Sequence, residues 1–224
     1  MMRYYPAFLD IKGRACLVVG GGGVATRKVD TLLECEASVT VVSLEASQTL
    51  QDLADGRRIT LKIQAYNASD LEGQFLVIGA TNDEALNRQI SADAEARNLL
   101  CNIADRPSVC NFILPAIIQR GDLVLAISTS GKSPAFAKKL RQDLEGQFGD
   151  AYTILLELMG AIRTRLLKQA HAPEEHKPLF NKIIHSNIIS LIENRQFDQI
   201  DQLLLNVLGP GYTFEALLKD ERQP

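Results

Sequence analysis

Four consecutive glycines, Gly20-Gly21-Gly22-Gly23, offer chemistry through the side chains they lack. Within them, Gly20-x-Gly22-x-x-Ala25 puts small residues where three demands meet. The chain must turn sharply after a strand, its backbone must come close to a diphosphate, and a helix must pack near that strand. A helix opening from such a loop presents unpaired N–H groups and a positive dipole end to anionic oxygens. Gly20 and Gly22 therefore predict a dinucleotide site.

Such a site usually has an acid about 20 residues further on, ending the second strand and holding the ribose hydroxyls. Here that position is Ser43, and Glu45 follows two residues later. Either Glu45 reaches back, or Ser43 and backbone groups near Leu44 hold the ribose. No arginine stands beside the strand end to receive a 2′-phosphate, which favours NAD over NADP.

Asp105 is the candidate acid–base group, because it lies just past an apolar run, Leu99 to Ile103, where ligands collect at sheet edges. The competing reading is a turn-capping Asp before Arg106-Pro107. The histidines His171, His176 and His185 read as surface residues of the C-terminal part, and no metal site is expected. Cys16, Cys35, Cys101 and Cys110 form no C-x-x-C pair and read as buried, reduced thiols.

Alternating elements must position these groups. Ala15–Val19 and Val39–Ser43 read as strands around a helix, Val24–Ala37, giving β-α-β in the ~30 residues that such a unit requires. Ile59–Ile63, Phe75–Ala80, Leu99–Ile103 and Leu123–Ser128 predict further strands, the last two buried. Asp83–Asn98 predicts a helix, and Asn111–Leu114 is a candidate strand. The fold class expected is α/β: a Rossmann-type, doubly wound, mostly parallel sheet followed by a dimerisation segment and a helical C-terminal domain. Ser133-Pro134 starts a helix that runs to about Phe148. Beyond it, Asp150–Ala170, Leu179–Glu193, Phe197–Val207 and Phe214–Lys219 read as helices, with Ala172-Pro173 and Lys177-Pro178 in a charged loop. The expected divisions are 1–114, 115–149 and 150–224.

The formal net charge of -3 gives nucleic acid no claim as the main partner. Met1 to Pro6 lacks a signal-peptide pattern, and no apolar run approaches the ~18 residues of a membrane span. A cytoplasmic location is the expectation.

Five ordered segments carry a resemblance. They are Tyr5–Arg14 (YPAFLDIKGR), Val18–Lys28 (VVGGGGVATRK), Gly79–Asp83 (GATND), Cys101–Pro107 (CNIADRP) and Thr129–Arg141 (TSGKSPAFAKKLR). Over roughly residues 4–148 the chain resembles the siroheme synthase family of precorrin-2 dehydrogenases, some of which are also sirohydrochlorin ferrochelatases. The resemblance implies an NAD-dependent oxidoreductase converting precorrin-2 to sirohydrochlorin, and it admits insertion of ferrous iron as a second activity. It implies a homodimer. Gly23, Val24, Leu44 and Glu45 match the family's NAD-contacting positions, and Asp105 matches the aspartate implicated in both activities. Thr81 of GATND joins the expected cofactor set. A substrate ringed by carboxylates needs cations, so Arg106, Ser130, Gly131, Lys132 and Ser133 form the expected substrate set. Lys138, Lys139 and Arg141 either join it or form a solvated helix face.

Two departures from the family stand out. Glu36 replaces a glycine that ends the first helix in many relatives, and Thr129 stands where some carry a phosphorylatable serine. No methyltransferase domain follows in the sequence, so synthesis of precorrin-2 itself is not expected. Two rival readings carry less of the pattern. A small-substrate NAD-dependent dehydrogenase would need a Lys, His or Tyr motif after the first half. An NAD-sensing regulatory module would carry an acid at Ser43 and leave GKSPAFAKKLR unexplained.

Overall fold

The computed structural model describes residues 4–104, 106–168 and 173–221, the side chains of 173–175, 220 and 221 excepted. The chain divides into two compact units, residues 1–114 with 130–132, and residues 115–129 with 133–224.

The first unit is a five-stranded sheet in the order β3-β2-β1-β4-β5. Its strands are β1 (Ala15–Val19), β2 (Ser38–Ser43), β3 (Thr60–Ile63), β4 (Leu76–Gly79) and β5 (Leu100–Ile103). Every pairing is parallel. A continuous apolar strand suits this place because side chains alternate between two covered faces. Cys16 and Val18 of β1 enter one core with Ala25, Val29 and Leu32 of helix α1 (Gly23–Glu34). Leu17 and Val19 enter the opposite core with Ile90 and Ala94 of helix α3 (Glu84–Glu95). Helix α2 (Gln48–Asp55), which the sequence pattern does not announce, begins where the Ser47 side chain accepts from Leu50 N–H.

The end of α1 makes Glu36 left-handed at φ 56. Its N–H donates to Leu33 O, and Ala37 N–H reaches back to Leu32 O at 3.0 Å. A side chain in this conformation costs roughly 1–2 kcal/mol that glycine avoids. Glu36→Gly is therefore expected to raise unfolding stability by about 1 kcal/mol in denaturant titration. An unchanged or lower midpoint would show that the exposed Lys12–Glu36 ion pair, at 2.8 Å, matters more than backbone strain.

The thiols differ from expectation. Cys16 and Cys101 are buried, but Cys35 is exposed and Cys110 half-buried. Cys35 ends a helix on its solvent side, so the helical pattern does not bury it. Burial pushes the Cys16 thiol up to about 11 and Cys101 up to about 12. Iodoacetamide at neutral pH is expected to label Cys35 first, with Cys16 and Cys101 reacting only in denaturant. Because these two pKa values are raised on folding, their contribution is intact below the unfolded thiol value and lost as pH rises towards 11–12.

The second unit pairs β6 (Ala116–Arg120) and β7 (Leu123–Ile127) as an antiparallel ribbon through Gly121 at φ 56. It continues with α4 (Pro134–Glu145), α5 (Ala151–Lys168), α6 (Pro173–Ile184), α7 (Ile188–Glu193), α8 (Phe197–Leu208) and α9 (Phe214–Glu221). Leu158 and Ile162 of α5 sit at the centre of its core with Ile183, Ile188, Ile200, Leu204 and Leu217.

Three expectations are corrected here. Leu123–Ile127 is not a buried strand of the parallel sheet; it is largely half-exposed in a two-stranded ribbon whose other strand, β6, carries no strand signal in the sequence reading. Asn111–Leu114 forms no strand. Instead the Asn111 side chain imitates one, accepting from Cys101 N–H and donating to Leu99 O, both at 2.7 Å. The segment around Pro173 and Pro178 is not a loop but part of α6. Proline is tolerated at a helix start, and the burial of Ile183 offsets the backbone bond missing at Pro178. Ala172 lies outside the described residues. Among the described residues no helix is long and apolar enough to cross a membrane.

Candidate functional site

The strand order reverses between β1 and β4, and a crevice opens there beyond the carboxyl ends of the strands. It measures about 970 Å³ and is bounded by the glycine loop, Ser43–Ser47, Gln64–Tyr66 and Ala80–Asp83.

The four glycines divide into two pairs. Gly20 has φ +124, and a β-carbon there would overlap the Ala80 carbonyl; one on Gly21 would overlap the Glu45 carbonyl. This first pair is demanded by the protein's own packing, reinforced by Ser47 N–H to Gly21 O at 2.8 Å and the Thr26–Ser47 hydroxyl contact at 3.0 Å. A β-carbon added to Gly22 or Gly23 would meet nothing within 4 Å. Packing around a β-carbon therefore does not require their bareness. Gly22 is the N-cap of α1 without a side-chain cap, and the first helical bond runs from Thr26 N–H to Gly22 O at 3.0 Å. The N–H groups ahead of it point out of the helix end, as an anion needs.

At the end of β2, Ser43 is half-buried and its carbonyl accepts from Gln64 N–H at 3.0 Å. Leu44 is 71% exposed, and Glu45 is exposed with no ion pair among the described residues. Both line the crevice, as do Gly20, Gly22, Gly23, Val24, Ser43 and Thr81. Every residue of the expected cofactor set thus borders one space.

Sequence reasoning missed what holds the far wall. Buried Asn87 accepts from the Thr81 hydroxyl at 2.9 Å and donates to the Thr81 carbonyl at 2.9 Å. Tyr66 donates to Asp93 at 3.1 Å, and its ionisation is pushed up, first by burial and then by that bond. A polar residue at a buried helical position such as Asn87 was the available signal. Among the described residues, the charged side chains lining the crevice are Glu45 and Asp83, with no Lys, Arg or His.

Asp105 lies outside the described residues. Its flanks are fixed: Ala104 N–H donates to Gly79 O at 2.8 Å, and Arg106 N–H to Ile103 O at 3.2 Å. The Cys110 thiol closes this turn, accepting from Ile103 N–H and donating to Arg106 O, each at 3.1 Å. Arg106 clamps Glu84 with both guanidinium nitrogens, at 3.2 and 3.1 Å. Glu84 is held below the usual carboxylate range by Arg88 and then by Arg106. The pair is solvent-exposed and hence weak, so another carboxylate can take Arg106 from it.

Ser130 at φ 54 and Gly131 at φ 80 are successive left-handed residues, with Gly131 beside Pro107. Lys132 is exposed. Ser133 caps α4 as expected, accepting from Phe136 N–H at 3.2 Å. Lys139 pairs with Asp143 and Arg141 with Glu145, both at 2.7 Å, which makes them part of a charged helix face; Lys138 is exposed. His171 lies outside the described residues. His185 is exposed, with Nδ1 at 2.8 Å from Asn181 O. His176, expected at the surface, is 4% exposed because its segment is helix rather than loop. Among the described residues no three His, Cys, Asp or Glu side chains group to hold a metal ion.

Comparison with known proteins adds independent findings. Residues 7–116 match the family model described as putative NAD(P)-binding, and residues 120–147 the one described as sirohaem biosynthesis protein central. The chain is 38% identical over 189 residues to siroheme synthase of Vesicomyosocius okutanii subsp. Calyptogena okutanii, covering 84% of this chain and 40% of that protein. Against siroheme synthase of Nitrosococcus oceani it is 35% identical over 214 residues, covering 96% and 46%. The chain spans less than half the length of either relative. A solved structure titled SirC, precorrin-2 dehydrogenase, superposes with a TM-score of 0.75 at 32% identity, covering 89% of this chain and 98% of that one.

Proposed function

This chain belongs to the precorrin-2 dehydrogenase family, and we propose on that footing that it oxidises precorrin-2 to sirohydrochlorin with NAD in siroheme biosynthesis. The observation that carries this reading is the crevice with two glycines that no protein atom requires, Gly22 and Gly23, at an uncapped helix start.

The residues present fit the coenzyme. A diphosphate fills the room a β-carbon would take at Gly22 and meets the leading amides of α1. Ser43, Leu44 and Glu45 hold the adenosine ribose, and the lack of a cation there among the described residues favours NAD over NADP. NAD, when bound, supplies the hydride acceptor. The protein's own part is to orient the tetrapyrrole and to take the accompanying proton, a role we give to the Asp105 carboxylate. Arg106, Ser130, Gly131, Lys132 and Ser133 are the proposed partners of the substrate's carboxylates, with guanidinium suited to bidentate pairing. Should ferrous iron enter the product, Asp105 is also the group to receive pyrrole protons. We further propose that the chain acts in the cytoplasm as a homodimer, with residues 115–149 contributing to dimerisation, residues 1–114 to NAD binding and residues 150–224 forming the helical domain.

The test is turnover. Protein, NAD and precorrin-2 are expected to yield one NADH per sirohydrochlorin formed, followed by absorbance. No NADH above a protein-free control would defeat the proposal. Sirohydrochlorin supplied with ferrous or cobaltous ion tests metal insertion separately.

A further inference from the structure

A second recess lies wholly within the helical unit, between α5 and α6, and none of the roles above uses it. It holds about 510 Å³, within the range of small-ligand sites. Half-buried Leu156 and Met159 from α5 and Phe180 from α6 line it together with buried His176, while Arg163 and Lys177 are exposed at its rim. Among the described residues neither cation has an ion-pair partner. By contrast, Lys139, Arg141 and Lys219 on the same unit's other helix faces are each paired to a carboxylate one turn away.

Gly160 sits mid-helix in the wall of this recess, with no positive φ to explain it. Glycine there weakens the helix relative to almost any other residue. It lines the recess, so the space begins at its backbone. A largely apolar lining with two cations that have no ion pair among the described residues suits a flat hydrophobic body bearing acids. Methionine and phenylalanine pack well against a conjugated ring, and arginine grips carboxylate bidentately.

We propose that the α5–α6 recess binds the carboxylate-bearing edge of a tetrapyrrole, with Arg163 and Lys177 receiving its acid arms and Met159 and Phe180 lying against the ring. This rests on the reading of the substrate as a tetrapyrrole polyacid. It is distinct from the assignment of any residue near the NAD crevice. The volume accommodates one edge of the ring rather than the whole macrocycle.

The test uses the full chain and uroporphyrin, a stable tetrapyrrole ringed by carboxylates, with binding read from fluorescence quenching. Wild-type protein is expected to bind it, and coproporphyrin, with half the carboxylates, more weakly. Arg163→Gln combined with Lys177→Gln is expected to weaken uroporphyrin binding by about tenfold or more. Gly160→Leu adds a side chain at a residue lining the recess and is expected to do the same. Lys177→Glu, at an exposed position, provides a variant whose folding is not in question and should weaken binding too. Unchanged affinity in Gly160→Leu and Lys177→Glu would overturn the proposal, as would displacement of uroporphyrin by dodecanoate more readily than by coproporphyrin. NADH formation from precorrin-2 is measured on the same proteins. Failure of that reaction with recess-dependent uroporphyrin binding defeats the dehydrogenase reading alone. Intact turnover with unaltered uroporphyrin binding in the variants defeats the recess alone.

Discussion

Gly22→Val is expected to lower NAD affinity on the order of a hundredfold, about 2.7 kcal/mol, while lowering the melting temperature by no more than about 4 °C. A valine β-carbon there meets nothing within 4 Å, so the fold loses chiefly glycine's N-cap advantage over valine, about 1 kcal/mol. The same atoms occupy the volume in which a diphosphate must sit to reach the α1 amides. Gly21→Ala is the contrasting change. Its β-carbon would overlap the Glu45 carbonyl, a backbone atom that no rotamer can move aside. That variant is expected to lose stability and coenzyme together, because the glycine loop and the segment after β2 are pressed against each other. Calorimetric titration with NAD and thermal melts on the two proteins separate the cases. Normal NAD affinity in Gly22→Val would remove the diphosphate from this loop.

Asp105→Ala is expected to reduce turnover of precorrin-2 by roughly 10²–10⁴-fold with NAD affinity unchanged, the range found when a positioned acid–base group is removed. The neighbouring geometry explains why coenzyme binding should survive. Ala104 and Arg106 are tied by their own N–H groups to Gly79 O and Ile103 O, and Cys110 closes the turn through its thiol. Removing one carboxylate leaves these bonds in place. Asp105→Asn keeps the size and should be nearly as slow, since an amide cannot accept the proton. Full turnover in either variant would remove Asp105 from the mechanism and leave it as a turn residue before Arg106-Pro107.

The parallel sheet is legible in the sequence because strands covered on both faces leave continuous apolar runs, as ACLVV does in β1. The same rule misleads at LVLAI. An apolar run does not report how many faces are covered, and β7 is half of a ribbon. Helix boundaries follow from sequence where capping chemistry is local, as at Ser133. They fail at α6, where two prolines speak for a loop while the burial of Ile183 decides for helix. The glycine pattern announces the crevice. It does not distinguish glycines that pack against the protein, Gly20 and Gly21, from those left bare for a ligand, Gly22 and Gly23. That difference depends on Ala80 and Glu45, both distant in sequence from the loop. Tyr66 is invisible for a like reason, because it acts through Asp93 on another element, whereas Asn87 shows in the sequence only as a polar residue at a buried helical position.

The most direct measurement is a crystal structure of the chain grown with NAD. The diphosphate should lie over Gly22 and Gly23 within hydrogen-bond distance of the leading amides of α1, the adenosine ribose near Ser43–Glu45, and the loop backbone unmoved. A structure in which that crevice stays vacant while NAD sits elsewhere, or in which the loop must unfold to admit it, would contradict the account.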